Sequence, residues 1–501
     1  MSESSRASRV VLGGLFLYLN NLVNISLGAL FWIILGSVAS VKDFGDALAI
    51  FSAASIVLGL LDLGLSASMV RFLGEYSEKD PFMKRSVLST AMIMGLLLLP
   101  MGSLAIYLIS VAFNINIFNL SREQIYATIY IILLGFSGYF SSYFLGIIDL
   151  IPLFIANFIG NILKIIVALI LSLAGFGWVG ILIGYSMIGL SILVVGVSRI
   201  VRENITLGIN PDLAKKMLRA GISLWAPGLI SLVASPSIGV VALYTTTGAF
   251  EAGAFYIANT VAGFSTALAG AVSAVALPHI SSLQDPVARK THLYRFARLG
   301  LALTIPVATS IIIFSSNILG LIKREYIVAT DMLVILVFSN IIGYVAGILS
   351  NYLYASERYR EVLEIGLLSS VIRVVLYIYL IPLLGGLGIA YTYLIVSIAT
   401  LIITLKLTEA DVGLGVLKET YKTFAPLTLL ILVLFRRLLP DVLWLVEFAA
   451  ILLISLLIET RLRNIRREDL FVIARSVLPS TLFRLLEPYS RTILGILFGR
   501  E

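Results

Sequence analysis

The sequence has no cysteine and only two histidines, and both absences narrow its chemistry. Without cysteine there are no disulfides, no thiolate metal sites and no thiol nucleophile. With His279 and His292 as the only imidazoles, a histidine-based metal centre is not expected. The phosphate-binding pattern Gly-x-x-x-x-Gly-Lys-Ser/Thr is also missing, so we expect no ATP hydrolysis. The sequence therefore predicts a protein that is not an enzyme and needs no cofactor or metal.

Charged residues are scarce. They make up 13% of the 501 residues, whereas 59% are apolar, and the mean hydropathy is +1.03. A soluble chain of this length could not cover its surface with so few polar side chains. The composition therefore predicts a polytopic membrane protein. We attribute the net charge of +8 to membrane topology and exclude nucleic acid as a partner.

Apolar runs of about 20 residues recur along the whole chain. They predict an all-α fold of about fourteen transmembrane helices. The thirteenth is the weakest, because Arg436 and Arg437 shorten its apolar run. The predicted spans lie at 10–38, 45–70, 86–113, 124–148, 152–174, 178–198, 221–247, 253–281, 298–320, 329–354, 363–382, 386–406, 424–439 and 442–459.

The distribution of lysine and arginine predicts the topology. With the N-terminus inside, 28 of the 36 Lys and Arg residues fall in inner segments and six in outer ones. Because positive charge collects on the cytoplasmic side, both termini are predicted to be cytoplasmic in a multi-pass protein of the cell membrane. The basic tail at 461–501 has two alternatives: an amphipathic helix on the inner leaflet, or packing against the inner loops.

Two cations, Lys164 and Arg373, lie in the middle of predicted spans. A cation at the bilayer centre costs about 2.5 to 3.5 kcal/mol, so it normally faces a water-filled cavity or a counter-ion. Both residues are therefore candidates for substrate binding. The alternative is structural, with each cation paired to a carboxylate such as Asp62 or Glu364.

The two cations also indicate an internal repeat. They lie 209 residues apart, and the same shift places Gly138 on Gly347. Any two membrane halves share composition, but the matched cations favour duplication. Six helices per copy is an even number, so the copies are related by an axis along the membrane normal. The predicted domains are a bundle at 1–205, a second bundle at 206–410, two extra helices at 411–460 and the tail at 461–501.

Three stretches carry a family resemblance: Phe44-Gly-Asp-Ala-Leu-Ala-Ile, Leu60-Leu-Asp-Leu-Gly-Leu-Ser and Leu277-Pro-His-Ile-Ser-Ser-Leu. With the helix count, they resemble Wzx-like polysaccharide flippases of the multidrug/oligosaccharidyl-lipid/polysaccharide exporter superfamily. The resemblance implies a V-shaped alternating-access transporter of lipid-diphosphate-linked sugars. It also implies membrane lipids and the lipid-linked glycan as partners, with glycan-assembly enzymes as further candidates.

The same resemblance assigns roles to single residues. Lys164 and Arg373 match the family's cavity cations, which suit a diphosphate. Side-chain amides could bind sugar hydroxyls or could equally be ordinary interhelical packing, and these are Asn24, Asn157, Asn161, Asn259 and Asn340. Candidates for gating or for coupling to H⁺ or Na⁺ are Asp62, Glu364, Arg71 and Pro236. Pro236, like Pro227, predicts a bend or break in the seventh helix.

Three other functions fit parts of the pattern. A cation-coupled multidrug exporter of the same superfamily would favour acidic cavity residues over the basic pair. A peptidoglycan-precursor flippase would differ mainly in its substrate. An integral-membrane glycosyltransferase or polymerase would need a large outer loop, and the predicted outer loops are short.

Overall fold

The computed structural model describes residues 3–76, 80–112, 121–202, 205, 208–409, 411–432 and 443–465, and within them the chain is helical with no β-strand. Eleven helices are long and apolar enough to cross a membrane, or twelve if the bent helix beginning at Pro211 is one span. The all-α membrane fold is confirmed, whereas the count of fourteen is not reached within these residues.

The chain divides into two compact units, Met1–Ala254 and Phe255–Glu501. The helices of the first unit are α1 Glu3–Val38, α2 Val41–Leu61, α3 Leu65–Tyr76, α4 Pro81–Ala112, α5 Ser121–Gly146, α6 Leu150–Leu173, α7 Gly177–Arg202, α8 Pro211–Ala234 and α9 Pro236–Thr247. α8 packs on α3, and α9 packs on α2. These contacts assign α8 and α9 to the first unit. The predicted six-helix repeat and its domain limits stay predictions.

Helices α6 and α7 form a hairpin that is closely packed through small residues, and α6 also contacts α1. Gly184 of α7 lies so close to Ala168 of α6 that a side chain at 184 would overlap it. Gly160 likewise lies against the backbone of Ile188. Small residues let membrane helices approach closely, where dispersion between packed surfaces replaces a hydrophobic driving force. This close hairpin positions the polar face of α6.

The prediction of one helix over 45–70 is wrong, because the chain breaks between α2 and α3. Leu63 and Gly64 have positive φ angles of 46° and 73°. The backbone of Gly64 lies against that of Gly221 in α8, where a Cβ atom on either residue would collide. The carbonyl of Gly59 accepts a 2.7 Å hydrogen bond from Nε1 of Trp225 in α8. α8 thus crosses at the break and satisfies a backbone group there.

The break predicted in the seventh helix is confirmed. Ser235 is extended, and Pro236 begins α9 as a residue that needs no N–H donor there. α8 itself is also bent: its two parts, Pro211–Ser223 and Trp225–Ala234, differ in direction by 44°. Pro227 cannot donate to the carbonyl of Ser223, which gives this bend its physical cause.

The second unit is organised around one central helix. Its helices are α10 Ala249–Gly263, which starts just before the unit boundary, then α11 Ala267–Ser282, α12 Pro286–Ile313, α13 Ser315–Ile322, α14 Thr330–Ala355, α15 Tyr359–Leu384, α16 Gly386–Leu407, α17 Gly415–Thr420 and α18 Trp444–Arg461. Short 3₁₀ segments cover Phe264–Thr266, Arg324–Ala329 and Tyr421–Ile431. α12 is buried along its apolar half and contacts α11, α14 and α18.

Two predicted spans differ from the structure in this unit. The span at 298–320 is two helices, because α12 begins earlier, at Pro286, and ends at Ile313 before α13. The capping carboxylate of Asp285 accepts from the N–H groups of Val287 and Ala288, which fixes the early start. Of the thirteenth span at 424–439, the described part is 3₁₀ helix. The rest of that span and the tail beyond residue 465 lie outside the described residues.

Candidate functional site

Lys164 lies on α6 with its side chain enclosed by protein, 1% exposed. Its ammonium donates a 2.9 Å hydrogen bond to Oδ1 of Asn161. It also lies 4.8 Å from the ring centroid of Phe31 in α1 and 5.0 Å from that of Tyr185 in α7. Both distances are within the range of cation–π attraction. Two aromatic faces and one amide therefore surround the charge.

Three predicted amides form a chain next to this ammonium. Asn157, Asn161 and Lys164 share one face of α6 at helical spacing. Nδ2 of Asn161 donates to Oδ1 of Asn24 at 2.8 Å and to the carbonyl of Asn157 at 2.9 Å, while Nδ2 of Asn157 donates to the carbonyl of Leu153 at 3.1 Å. The structure thus brings together Asn24, Asn161 and Lys164, and it orients the Asn161 oxygen toward the cation.

Arg373 lies half-buried on α15 of the second unit. Its guanidinium carbon is 4.7 Å from the ring centroid of Tyr393 in α16. Nε and Nη1 are buried, and no described residue accepts a hydrogen bond from either. An unsatisfied buried donor costs about 1 to 3 kcal/mol, and more when it is charged. The guanidinium therefore keeps two donors available for an acceptor that is not part of the described chain.

The carboxylates considered as structural partners are engaged elsewhere. Glu364 accepts from Nε of Arg360 at 2.9 Å, on the exposed side of α15, and not from Arg373. Asp62 accepts from Oγ of Ser66 at 2.6 Å and not from Lys164. Within the described part of each unit, no carboxylate lies within 4 Å of either intramembrane cation. The structural ion pairs considered from the sequence are absent there.

The remaining predicted residues are dispersed. Nδ2 of Asn340 donates to the carbonyl of Ala262 at 3.0 Å, which is a packing bond between α14 and α10. Asn259 is half-buried on α10. The exposed Arg71 contacts the ring of the adjacent Phe72 at 5.6 Å. The predicted roles of these residues stay predictions.

A cavity of about 630 Å³ lies inside the first unit at the break between α2 and α3. The side chains that line it include Asp62, Tyr139 of α5, Trp225 of α8 and Ser235 at the end of α8. Among the described residues, no lysine, arginine or histidine lines it. Oη of Tyr139 and Oγ of Ser235 are buried without a hydrogen-bond partner in the described chain. The cavity is thus lined by one carboxylate and several uncharged groups. Lys164 is not among its lining residues.

Two polar pairs were missed by reasoning from the sequence. Oη of Tyr244 in α9 donates to Oδ1 of Asp46 in α2 at 2.8 Å. The chain's two imidazoles also meet, with Nε2 of His279 and Nδ1 of His292 at 3.0 Å. The first pair joins residues 198 positions apart, and the second joins two helices across a turn. No local sequence pattern predicts either contact. Among the described residues, no three possible metal ligands lie together.

Two further polar clusters were also missed in the second unit. Arg358 binds both oxygens of Glu361 at 2.6 and 2.7 Å and Oδ2 of Asp411 at 2.7 Å, and these acceptors raise its pKa. Glu459 of α18 is fully buried; Oε2 accepts from Asn464 at 2.6 Å, and Oε1 has no partner in the described chain. The apolar residues around Glu459 are the only feature of the sequence that could have indicated its burial.

Comparisons with known proteins give one matching family and several similar folds. The family model described as "Polysaccharide biosynthesis protein" matches residues 10–284. The fold is similar to that of the lipid II flippase MurJ in an inward closed conformation, with 18% identity, 92% of this chain and 100% of that chain covered, and a TM-score of 0.69. It is also similar to an inward-facing multidrug resistance MATE family transporter of the MOP superfamily, with 14% identity, 77% and 95% covered, and a TM-score of 0.60. No curated protein matches the sequence.

Proposed function

The chain belongs to the polysaccharide biosynthesis protein family, whose model matches more than half of it, and we propose that it flips lipid-diphosphate-linked oligosaccharide across the cytoplasmic membrane. The likeness of its fold to transporters of the MOP superfamily supports transport by alternating access. The eleven or twelve apolar spans and the inward bias of lysine and arginine support a multi-pass protein with both termini inside. Membrane lipids and the lipid-linked glycan are the proposed partners.

The observation that carries this proposal is the pair of unused donors on Arg373. Guanidinium donors are arranged in a planar fork that fits two phosphate oxygens at once. A diphosphate group offers several such acceptors with negative charge. Arginine is more weakly hydrated than lysine, which favours its use in desolvated phosphate sites. Arg373 is therefore the proposed phosphate-binding residue of the second unit.

Lys164 is the second cation proposed to bind phosphate. In this structure its ammonium is held by Phe31, Tyr185 and Asn161. A cation–π contact contributes about 0.5 to 2 kcal/mol, whereas a hydrogen bond between charged groups contributes about 1.5 to 3. A phosphate oxygen therefore competes successfully with either ring for the ammonium. The aromatic contacts stabilise the charge while no phosphate is bound.

The test is flipping in proteoliposomes of polyprenyl-diphosphate-linked N-acetylglucosamine, read by the fraction of sugar that reaches an impermeant lectin. Arg373→Gln should slow flipping by about ten-fold or more, since it removes charge-assisted hydrogen bonds. Arg373→Lys should flip the substrate at a rate between those of wild type and Arg373→Gln, because lysine keeps the charge but lacks the planar fork of donors. The matched control is Arg360→Gln on the same helix, whose side chain is 91% exposed and whose loss should leave the rate unchanged. Wild-type flipping by Arg373→Gln would contradict the proposal.

A further inference from the structure

Asp62 is the charged hydrogen-bond acceptor in the described lining of the cavity beside the α2/α3 break. Its carboxylate accepts from Oγ of Ser66 at 2.6 Å and more weakly from the Ser66 N–H at 3.3 Å. These bonds come from its own turn. A carboxylate has about four lone-pair sites, so Asp62, which lines the cavity, can accept further hydrogen bonds.

Two hydroxyl groups of the cavity lining have no partner in the described chain. Tyr139 is 1% exposed, and its Oη makes no hydrogen bond there. Oγ of Ser235, at the junction of α8 and α9, is also buried and unpaired. Hydroxyl groups donate and accept, and buried ones are normally satisfied. Polar groups of a bound molecule would satisfy both.

The cavity walls are mostly apolar, and one aromatic ring in them is held by a hydrogen bond. The indole of Trp225 is held by its 2.7 Å bond to the Gly59 carbonyl, so one aromatic ring has a defined position in the lining. The leucines of the lining are Leu58, Leu99, Leu134, Leu229 and Leu232. Gly138 of α5 and Gly228 of α8 also line the cavity, and an added Cβ atom at either would meet open space. Such walls fit the C–H faces of a ring with polar edges.

The charge of the cavity lining favours an uncharged ring over an acidic one. The described lining contains the Asp62 carboxylate and no cation, so the cavity disfavours phosphate and carboxylate groups. Hydroxyl groups, in contrast, donate to a carboxylate in strong hydrogen bonds. The volume of about 630 Å³ lies within the range of about 300 to 1,000 Å³ typical of small-molecule sites.

We propose that the cavity formed by Asp62, Tyr139 and Trp225 binds an uncharged sugar ring of the lipid-linked substrate. This proposal rests on the proposed flippase function and adds a sugar site whose residues are separate from the phosphate-binding cations. Asp62 accepts from sugar hydroxyls, Tyr139 and Ser235 complete the polar contacts, and Trp225 packs on the ring's C–H face. Glycans with an acidic sugar at this position are excluded by the charge of Asp62.

The experiment measures binding to the purified full-length protein of two probes: polyprenyl-diphosphate-linked N-acetylglucosamine, and the same polyprenyl diphosphate without sugar. Asp62→Asn keeps the shape and removes the charge. It should weaken binding of the sugar-bearing probe by about ten-fold and leave the sugar-free probe unchanged. Arg373→Gln should weaken both probes. Equal weakening of both probes by Asp62→Asn, or of neither, would overturn the sugar site.

A second variant fills the cavity without touching its polar groups. Gly228→Leu places a side chain in the open space and should also affect only the sugar-bearing probe. The matched control is Gly270→Leu on α11, which has open space at its Cβ position and does not line the cavity. Melting curves of all variants verify that each is folded.

Two further probes separate the sugar site from other uses of the carboxylate. The probe carrying glucuronic acid in place of N-acetylglucosamine should bind more weakly to wild type, and Asp62→Asn should remove that difference. Equal binding of both sugars to wild type would contradict the charge argument. Asp62-dependent competition by the lipophilic cation tetraphenylphosphonium would assign the cavity to cations and overturn the proposal. Loss of the Arg373 effect alone would count against the phosphate site and not against the sugar site.

Discussion

Replacing Lys164 by methionine tests whether the aromatic and amide contacts balance the burial of its charge. The effective penalty for burying an ion in a protein is several kcal/mol. Against it stand one charged hydrogen bond, about 1.5 to 3 kcal/mol, and two cation–π contacts of about 0.5 to 2 kcal/mol each. These contributions nearly cancel the penalty. Lys164→Met should therefore change the free energy of unfolding by no more than about 1 to 2 kcal/mol.

The partner residue makes this test quantitative. Asn161→Ala removes the one hydrogen-bond acceptor that the described residues offer to the buried ammonium, and it should destabilise the protein by about 3 kcal/mol or more. In the Lys164→Met background the same change should cost less, because no charge is left to satisfy. The double-mutant cycle should give a coupling energy of about 1.5 to 3 kcal/mol.

The assay is denaturant unfolding in mixed micelles, followed by tryptophan fluorescence. Lys164→Ala, which also removes the packed side-chain stem, should cost about 2 to 5 kcal/mol as other large-to-small changes do. Lys215→Met on the exposed face of α8 is the control and should shift stability by less than about 0.5 kcal/mol. A coupling energy near zero, or equal destabilisation by Met and Ala at position 164, would refute the balance of contacts described here.

Two further predictions concern the helix break and the topology. Gly64→Ala should sharply reduce folded protein, because φ is 73° and a Cβ atom would collide with Gly221, whereas Gly74→Ala, with open space on the next helix, should be neutral or stabilising by up to about 1 kcal/mol in thermal melts. With no native cysteine, Gly208→Cys should react with an impermeant thiol reagent only from the cytoplasmic side and Gly175→Cys only from outside; the reverse pattern would reject the predicted orientation.

The apolar runs of the sequence predict most helix positions, but only some of the breaks within helices have a signal in the sequence. Proline announces a break because it lacks the N–H donor, so the discontinuity at Pro236 was predictable. The break at Gly64 was not, because a single glycine in a long apolar run is compatible with a continuous helix. The feature that requires glycine at this point is the close passage of α8 over Gly64, a contact between residues far apart in the chain. The spacing of apolar residues along the chain does not predict such a crossing.

The residue types of the candidate site were predictable, but their partners were not. A lysine in an apolar span is unusual enough to be noticed, and Asn161 lies at the spacing that faces it. Phe31 and Tyr185, which complete its surroundings, are ordinary residues of membrane helices and carry no signal. The sequence therefore predicted a carboxylate or a cavity as the partner. In the described chain, aromatic rings surround Lys164, and two donors of Arg373 have no acceptor. The predicted place of both cations in a substrate cavity stays a prediction.

The hydrogen bond from Trp225 to Gly59 also sets an order of events during synthesis. The two residues are separated by 166 positions, and ribosomes add about 5 to 20 residues per second. Trp225 is therefore synthesised about ten to thirty seconds after Gly59, and until then the Gly59 carbonyl lacks this donor. During that time the break between α2 and α3 has an unsatisfied polar group at the point where α8 will later cross. A nascent chain that stops after residue 202 should therefore stay loosely packed at this point, however completely its own helices have inserted.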